Sequence, residues 1–208
     1  LYRRFARRAA LSPGFGGSIC MGWLAAVLAL CALTANAGER VTICFNYACQ
    51  AQAEVAYSDE QLRELRSLLG DASDAEQEQA AIGVAVGRLL GWAGKQSPIA
   101  ADKGGNYADL GVYGKMDCID HSMTTTRLLK MLEAQGMLHY HRVLERVLRR
   151  PFLVLDHYSA QIEEISAGGD EGGDRRYVVD SWFFDNGQSA VVMPLGRWMS
   201  GESPDGGG

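Results

Sequence analysis

Three residues in the second half of the chain carry side chains that together make nucleophilic chemistry possible: Cys118, His157 and Asp180. Cys118 lies in Met116-Asp117-Cys118-Ile119-Asp120-His121, where a polar loop hands over to a helix with an apolar body. The unpaired N–H groups and positive dipole end of a helix start favour an anion, and the thiolate is the nucleophilic form of cysteine. A thiolate nucleophile works with an imidazole in hydrogen-bond reach, and the imidazole works with an orienting carboxylate. His157 sits mid-strand in Leu155-Asp156-His157-Tyr158. Asp180 sits in Tyr177-Val178-Val179-Asp180-Ser181-Trp182, and a carboxylate among such neighbours is costly to bury unless something pairs with it. Taken singly, each has a plain structural reading: a small core cysteine, a satisfied strand histidine, a solvated aspartate near a turn. Their order and placement together favour a site.

Positioning these groups requires a helix start and two adjacent antiparallel strands, and the residue pattern supplies both. Residues 41–49 alternate loosely and predict a short strand or hairpin. Ser58 with Gln61 has capping-box spacing and opens a helix closed by Gly70, with Leu62, Leu65, Leu68 and Leu69 as its stripe. Ser73 with Glu76 repeats that start, and Ile82, Val86, Leu89 and Leu90 carry the second helix to about Trp92. Residues 94–116 have no steady period and predict a long loop, a length often tied to function. A third helix begins near Asp117, carries Leu128, Leu129 and Leu132, and ends at Gly136. Four strands follow: Leu138–Leu148, Phe152–Ile165, Arg176–Phe184 and Gln188–Met193. A polar turn spans Gly168–Asp174, and Asp185-Asn186-Gly187 makes a tight one. Helices followed by a run of antiparallel strands mean an α+β fold, with the nucleophile helix packed on a sheet of about four strands. One domain is expected over residues 38–199, with a disordered tail over 200–208.

The first 37 residues have the order of a secretory signal. Arg3, Arg4, Arg7 and Arg8 form a basic head, Ile19–Leu33 an apolar core, and Ala35-Asn36-Ala37 a cleavage site, so a periplasmic or secreted domain is expected. The rival is an uncleaved membrane anchor. All 25 acidic and 16 of the 20 basic residues lie beyond Ala37, a net charge of −9 for that part. This balance, with no basic stripe, argues against nucleic acid as a partner. Three cysteines lie beyond Ala37. Cys44 and Cys49 are close enough for a disulfide-closed turn, the other readings being two unpaired thiols or half of a metal site, and Cys118 is left over.

Asp117-Cys118-Ile119-Asp120, His157 and Val179-Asp180-Ser181-Trp182, separated by 39 and 23 residues, resemble the motifs of bacterial transglutaminase-like cysteine peptidases, a papain-like arrangement. The resemblance covers about residues 105–198. It implies attack by Cys118 on an amide or isopeptide carbonyl, with His157 as general base and acid and Asp180 as its orienter. Asn106, in Gly104-Gly105-Asn106-Tyr107, is the oxyanion candidate beside the Cys118 N–H, and Asp117, Asp120, His121 and Trp182 stand in support. The implied partner is a peptide or protein substrate, cell-envelope material included. Some relatives hold calcium with acidic residues beside the cysteine; Ile119 occupies such a place here, so no metal and no cofactor is expected. Two other readings stand beside this one. His139 and His141 alternate on one strand face and suit a Cys/His metal-binding protein together with Cys118 or His121. A non-catalytic peptide-binding module would keep the fold and line a groove with the long loop, Tyr158, Trp182 and Trp198.

Overall fold

Apolar residues on one face of a hairpin begin the described part of the chain. The computed structural model describes residues 38–106, 111–150, 156–165 and 174–204; the expected leader, the 168–173 part of the polar turn and the last four residues lie outside them. Strand β1 (Glu39–Phe45) pairs antiparallel with β2 (Ala51–Tyr57), from Glu39↔Tyr57 to Phe45↔Ala51. The hairpin therefore reaches well past the expected residue 49. Its second strand carries Ala51, Ala53 and Glu54, weak strand formers, and is held by the full burial of Val55 and Tyr57.

Helix α1 (Asp59–Gly70) starts with the expected reciprocal cap: the Gln61 N–H donates to Ser58 Oγ at 3.2 Å and the Ser58 N–H to Gln61 Oε1 at 2.9 Å. Gly70 is its last residue rather than its stop, and Asp71 caps it in a right-handed conformation. Helix α2 (Ala75–Gly94) is capped by Asp74, not Ser73, because the Asp74 carboxylate accepts the Gln77 N–H at 2.8 Å. Gly87 inside α2 lets it lie against the chain before the last strand; a methyl there would meet the Gln188 carbonyl oxygen at 2.3 Å. The long connection holds two single 3₁₀ turns, Pro98–Ala101 and Gly104–Asn106. Helix α3 (Cys118–Ala134) follows, and Gly136 at φ +64° turns the chain away.

Strands β3 (His141–Arg149), β4 (His157–Glu164), β5 (Arg176–Asp180) and β6 (Val191–Pro194) form an antiparallel sheet in chain order. The fold is thus mixed helix and sheet with a four-stranded antiparallel sheet. Asp180 ends β5 four residues before the expected Phe184, and β6 begins three residues after Gln188. Between them the chain turns, with Gly187 at φ +107° and the Gln188 N–H on the Asp185 carbonyl. A short helix α4 (Leu195–Met199) completes the domain, and Ser200–Glu202 continue it within the expected tail, with Glu202 paired to Arg197.

The sheet has two buried faces. Ala160, Ile162 and Val179 join Leu128, Leu129 and Leu132 of α3, Ile43 and Tyr57 of the hairpin, and Leu89 and Leu90 of α2 in the main core. Val178 and Met193 face the other way, into a smaller cluster with Leu195 and Trp198 of α4. Strand alternation places His157 and Asp180 on this second face, in register with Arg149 and Val191.

Candidate active site

Cys118 is the first residue of α3, and the sequence around it builds a helix start on both sides. Asp117 Oδ1 accepts the Asp120 N–H at 2.9 Å, and Asp120 Oδ2 accepts the Asp117 N–H at 3.2 Å. This reciprocal cap leaves Cys118 half-buried at the helix mouth, its Sγ 3.8 Å from the Asp156 carbonyl oxygen. The next residue of the chain after Asp156 is His157. Its Nε2 lies 2.7 Å from Asp180 Oδ2, and the ring is close enough to the Cys118 side chain for the thiol to help raise its pKa. With Nε2 on Asp180, Nδ1 is the nitrogen available to sulfur.

Cys118, His157 and Asp180 are therefore brought together, though by a route strand alternation alone does not suggest. The apolar side of α3 packs on one face of the sheet, whereas His157 and Asp180 stand on the other. They meet because Cys118 is at the end of its helix and His157 is the first residue of its strand, so contact is made around the end of the sheet.

Asp180 is buried and well supplied with donors. Its Oδ2 accepts the Trp198 indole N–H at 2.9 Å as well as His157, and its Oδ1 accepts the Trp182 backbone N–H at 3.2 Å. The His157 ring is enclosed by Trp182, Trp198 and Phe183, with centroids at 4.8, 5.6 and 5.8 Å. Burial alone pulls the imidazole pKa down, but the hydrogen bonds and charges of Asp180 and Cys118 together outweigh it and hold the ring at about 9. Trp198 is fully buried between His157 and the Arg149 guanidinium, 4.6 Å from its ring, so it backs the carboxylate and cannot line a groove. Tyr158 and Trp182 are half-buried.

His121 lies one turn along α3 but does not turn to the sulfur. It is buried, with Nδ1 2.9 Å from Ser181 Oγ and Nε2 3.1 Å from Asp102 Oδ2. Asp102 also accepts the Met116 N–H at 2.7 Å and an Asn186 Nδ2 hydrogen at 3.2 Å. This network ties the long connection and the residue after Asp180 to α3. His141, Nδ1 to Glu78 Oε2 at 2.8 Å, belongs to another buried pair at the start of β3, and His139 is exposed. Among the described residues, neither histidine gathers with Cys118 or His121. The grouping of ligand-type atoms that does occur, Cys44, Cys49 and Asp120, has both sulfurs in a disulfide. Asn106 ends the second 3₁₀ turn, held beside the site because the Gly105 N–H donates to the Trp182 carbonyl at 2.9 Å; its side chain lies outside the described residues.

Cys44 and Cys49 form the expected disulfide, with Cα atoms 4.6 Å apart. Inside it, Asn46, Tyr47, Ala48 and Cys49 all have positive φ, between 51° and 66°, one turn of left-handed helix without a glycine. That conformation costs an L-residue roughly 1–2 kcal/mol each. The four N–H groups it exposes all find acceptors. Asn46 donates to the Lys115 carbonyl at 2.7 Å, Tyr47 and Cys49 to the two Asp120 oxygens at 2.8 and 2.7 Å, and Ala48 to Asp117 Oδ2 at 2.9 Å. Burial, then the charge of Asp117, push the Asp120 carboxyl up to about 6 against the pull of these N–H donors.

No protein-family model, no curated protein and no solved structure matches this chain. The site is therefore read from its own geometry. Two of its parts were not legible beforehand. Trp198 is expected from the sequence only as a groove-lining aromatic of the binding-module reading, though an indole needs an acceptor when buried, and Asp180 is that acceptor. The left-handed turn had no signal beyond the two cysteines that close it.

Proposed function

We propose that this domain is a cysteine hydrolase or acyltransferase with a transglutaminase-like arrangement, acting outside the cytoplasm on an amide or isopeptide bond of a peptide or protein. The observation that carries the reading is that one buried imidazole bonds a carboxylate and stands beside the thiol at the mouth of a helix. With its ring held at about 9, His157 carries a proton at neutral pH and has Asp180 to fix its orientation. The proton His157 carries is the one given up by Cys118, and the resulting thiolate attacks the carbonyl carbon while the negative charge moves to the carbonyl oxygen. The Cys118 N–H at the helix start, with Asn106 on the loop held against Trp182, would receive that charge. His157 then delivers its proton to the departing nitrogen, the C–N bond breaks and a thioester remains. Water or an amine, losing a proton to His157, attacks the thioester and frees the sulfur. The Cys44–Cys49 disulfide suits an oxidising compartment, and among the described residues no helix is long and apolar enough to cross a membrane.

The test uses purified protein and iodoacetamide at neutral pH, with mass spectrometry of the Cys118 peptide. Fast labelling that slows strongly in His157→Ala supports the nucleophile. Labelling as slow as in the unfolded chain leaves a binding module instead. Peptides released from a cell-envelope extract by the wild type, and not by Cys118→Ala, would identify the substrate.

A further inference from the structure

The disulfide-closed turn is the other half of the nucleophile's mounting. Two carboxylates, Asp117 and Asp120, accept five backbone N–H groups between them, two from the start of α3 and three from the left-handed turn. The same two residues flank Cys118. A displacement of the turn therefore pulls on the first turn of α3, because Asp117 and Asp120 hold those N–H groups. The turn is tied down from further points: the Gly114 N–H donates to Asn46 Oδ1 at 2.9 Å, the Cys44 N–H to Thr124 Oγ1 at 3.0 Å, and Lys115 Nζ lies 4.2 Å from the centre of the Tyr47 ring. Two local rules are broken here together. Four residues that are not glycine adopt the left-handed conformation in succession, and two like charges stand three residues apart. Conflicts of that kind gather where a geometry is required for function, and this one adjoins the proposed nucleophile.

We propose that Asp120 is a positioning residue for Cys118, and that it acts only while the Cys44–Cys49 disulfide holds the turn closed. Reduction of that disulfide by a dithiol, giving two thiols and an oxidised reductant, releases the turn. The cap then frays, and Cys118 moves off His157. This rests on the reading of Cys118 as a nucleophile. The charged groups on the elements around Cys118 are Asp117 and Asp120 on its own helix start, His157 and Asp156 at the end of β4, Arg150 paired with Asp156, and Lys115 in the preceding loop.

The experiment follows the rate of Cys118 alkylation by iodoacetamide from pH 5 to 10, in the wild type, Asp120→Asn, the double variant Cys44→Ala/Cys49→Ala, and His157→Ala. Circular dichroism reports folding. Asp120→Asn and the double variant should each lose about tenfold in rate at pH 7. The rate should also lose its dependence on His157 across that pH range. A merely structural part would leave that dependence alone. Should either variant fold poorly, the wild type treated with a trialkylphosphine and desalted removes the disulfide without substitution, and Cys118 is read by peptide mass. A wild-type rate and profile in folded Asp120→Asn, or in the folded protein lacking the disulfide, overturns the proposal while leaving the nucleophile intact. Slow, His157-independent alkylation of the wild type sinks both.

Discussion

The domain holds three buried histidine–carboxylate pairs of similar geometry, and they differ in what else each imidazole can reach. His157 and Asp180 are 2.7 Å apart, His141 and Glu78 2.8 Å, His121 and Asp102 3.1 Å. Side-chain exposure is 10% for His157 but 1% for His121 and none for His141. His141 is closed off by Gln79 on its other nitrogen, and His121 by Ser181. Among the described residues, His157 is the one of the three that stands beside a thiol. A buried pair whose second nitrogen meets a neutral polar side chain is mortar between elements. A pair that stands beside a thiol at a helix mouth has a group with which it could exchange a proton. Distance and burial alone do not separate the two.

The largest expected effect separates chemistry from mortar. Cys118→Ala should abolish any activity, and His157→Ala should lower it by about 10²–10⁴ while the domain stays folded. Kinetics on a released peptide or thioester substrate, read beside circular dichroism, checks both; a folded His157→Ala at wild-type activity would break the comparison. The reverse result is expected at the His141 pair. Glu78→Ala leaves the N–H groups of His139 and Tyr140 and the His141 ring without their buried acceptor, and should cost about 3–5 kcal/mol in denaturant unfolding. The activity of the folded fraction should not change.

A third expectation concerns pH. The folded His157 value, about 9, lies above its ordinary 6.5. Its contribution to stability is therefore complete below about 6.5 and is lost as pH rises through 9. At 1.36 kcal/mol per unit, the contribution is up to about 3 kcal/mol. Thermal unfolding of the wild type should weaken between pH 7 and 10 more steeply than that of His157→Gln; equal slopes would mean that the pair does not hold its proton. At the lower end of the scale lies an exposed ion pair, Lys130 and Glu145, with 48% and 85% of their side chains exposed. Lys130→Ala should change stability by less than about 0.5 kcal/mol, which sets the reference against which the buried pairs are read.

Periodic segments were the readable part of the fold. Leu128, Leu129 and Leu132 recur at helical spacing, and the structure buries all three. Ser58 with Gln61 predicted a cap that exists, whereas Ser73 yielded to Asp74 because a neighbouring carboxylate caps as well as a hydroxyl. Strand ends were less readable. Beyond Asp180 and Ser181 the apolar character resumes with Trp182, Phe183 and Phe184, yet the ladder stops at Asp180, where the carboxylate turns to His157 and Trp198. The second strand of the hairpin was hidden by its alanines.

By itself the sequence determined the α+β order, the helix starting at Cys118, the Cys44–Cys49 pairing and the types of side chain at the candidate site, since each follows from local spacing and short-range sterics. Only the tertiary structure decided which histidine serves which acid. Whether an imidazole 23 residues from one aspartate and 37 from another pairs across strands, to a loop or to a helix depends on register and on which end of a strand it occupies. It was likewise the packing of hairpin on helix that set Asp117 and Asp120 against the left-handed turn, because hydrogen bonds between groups about 70 residues apart exist only once the core has brought them together.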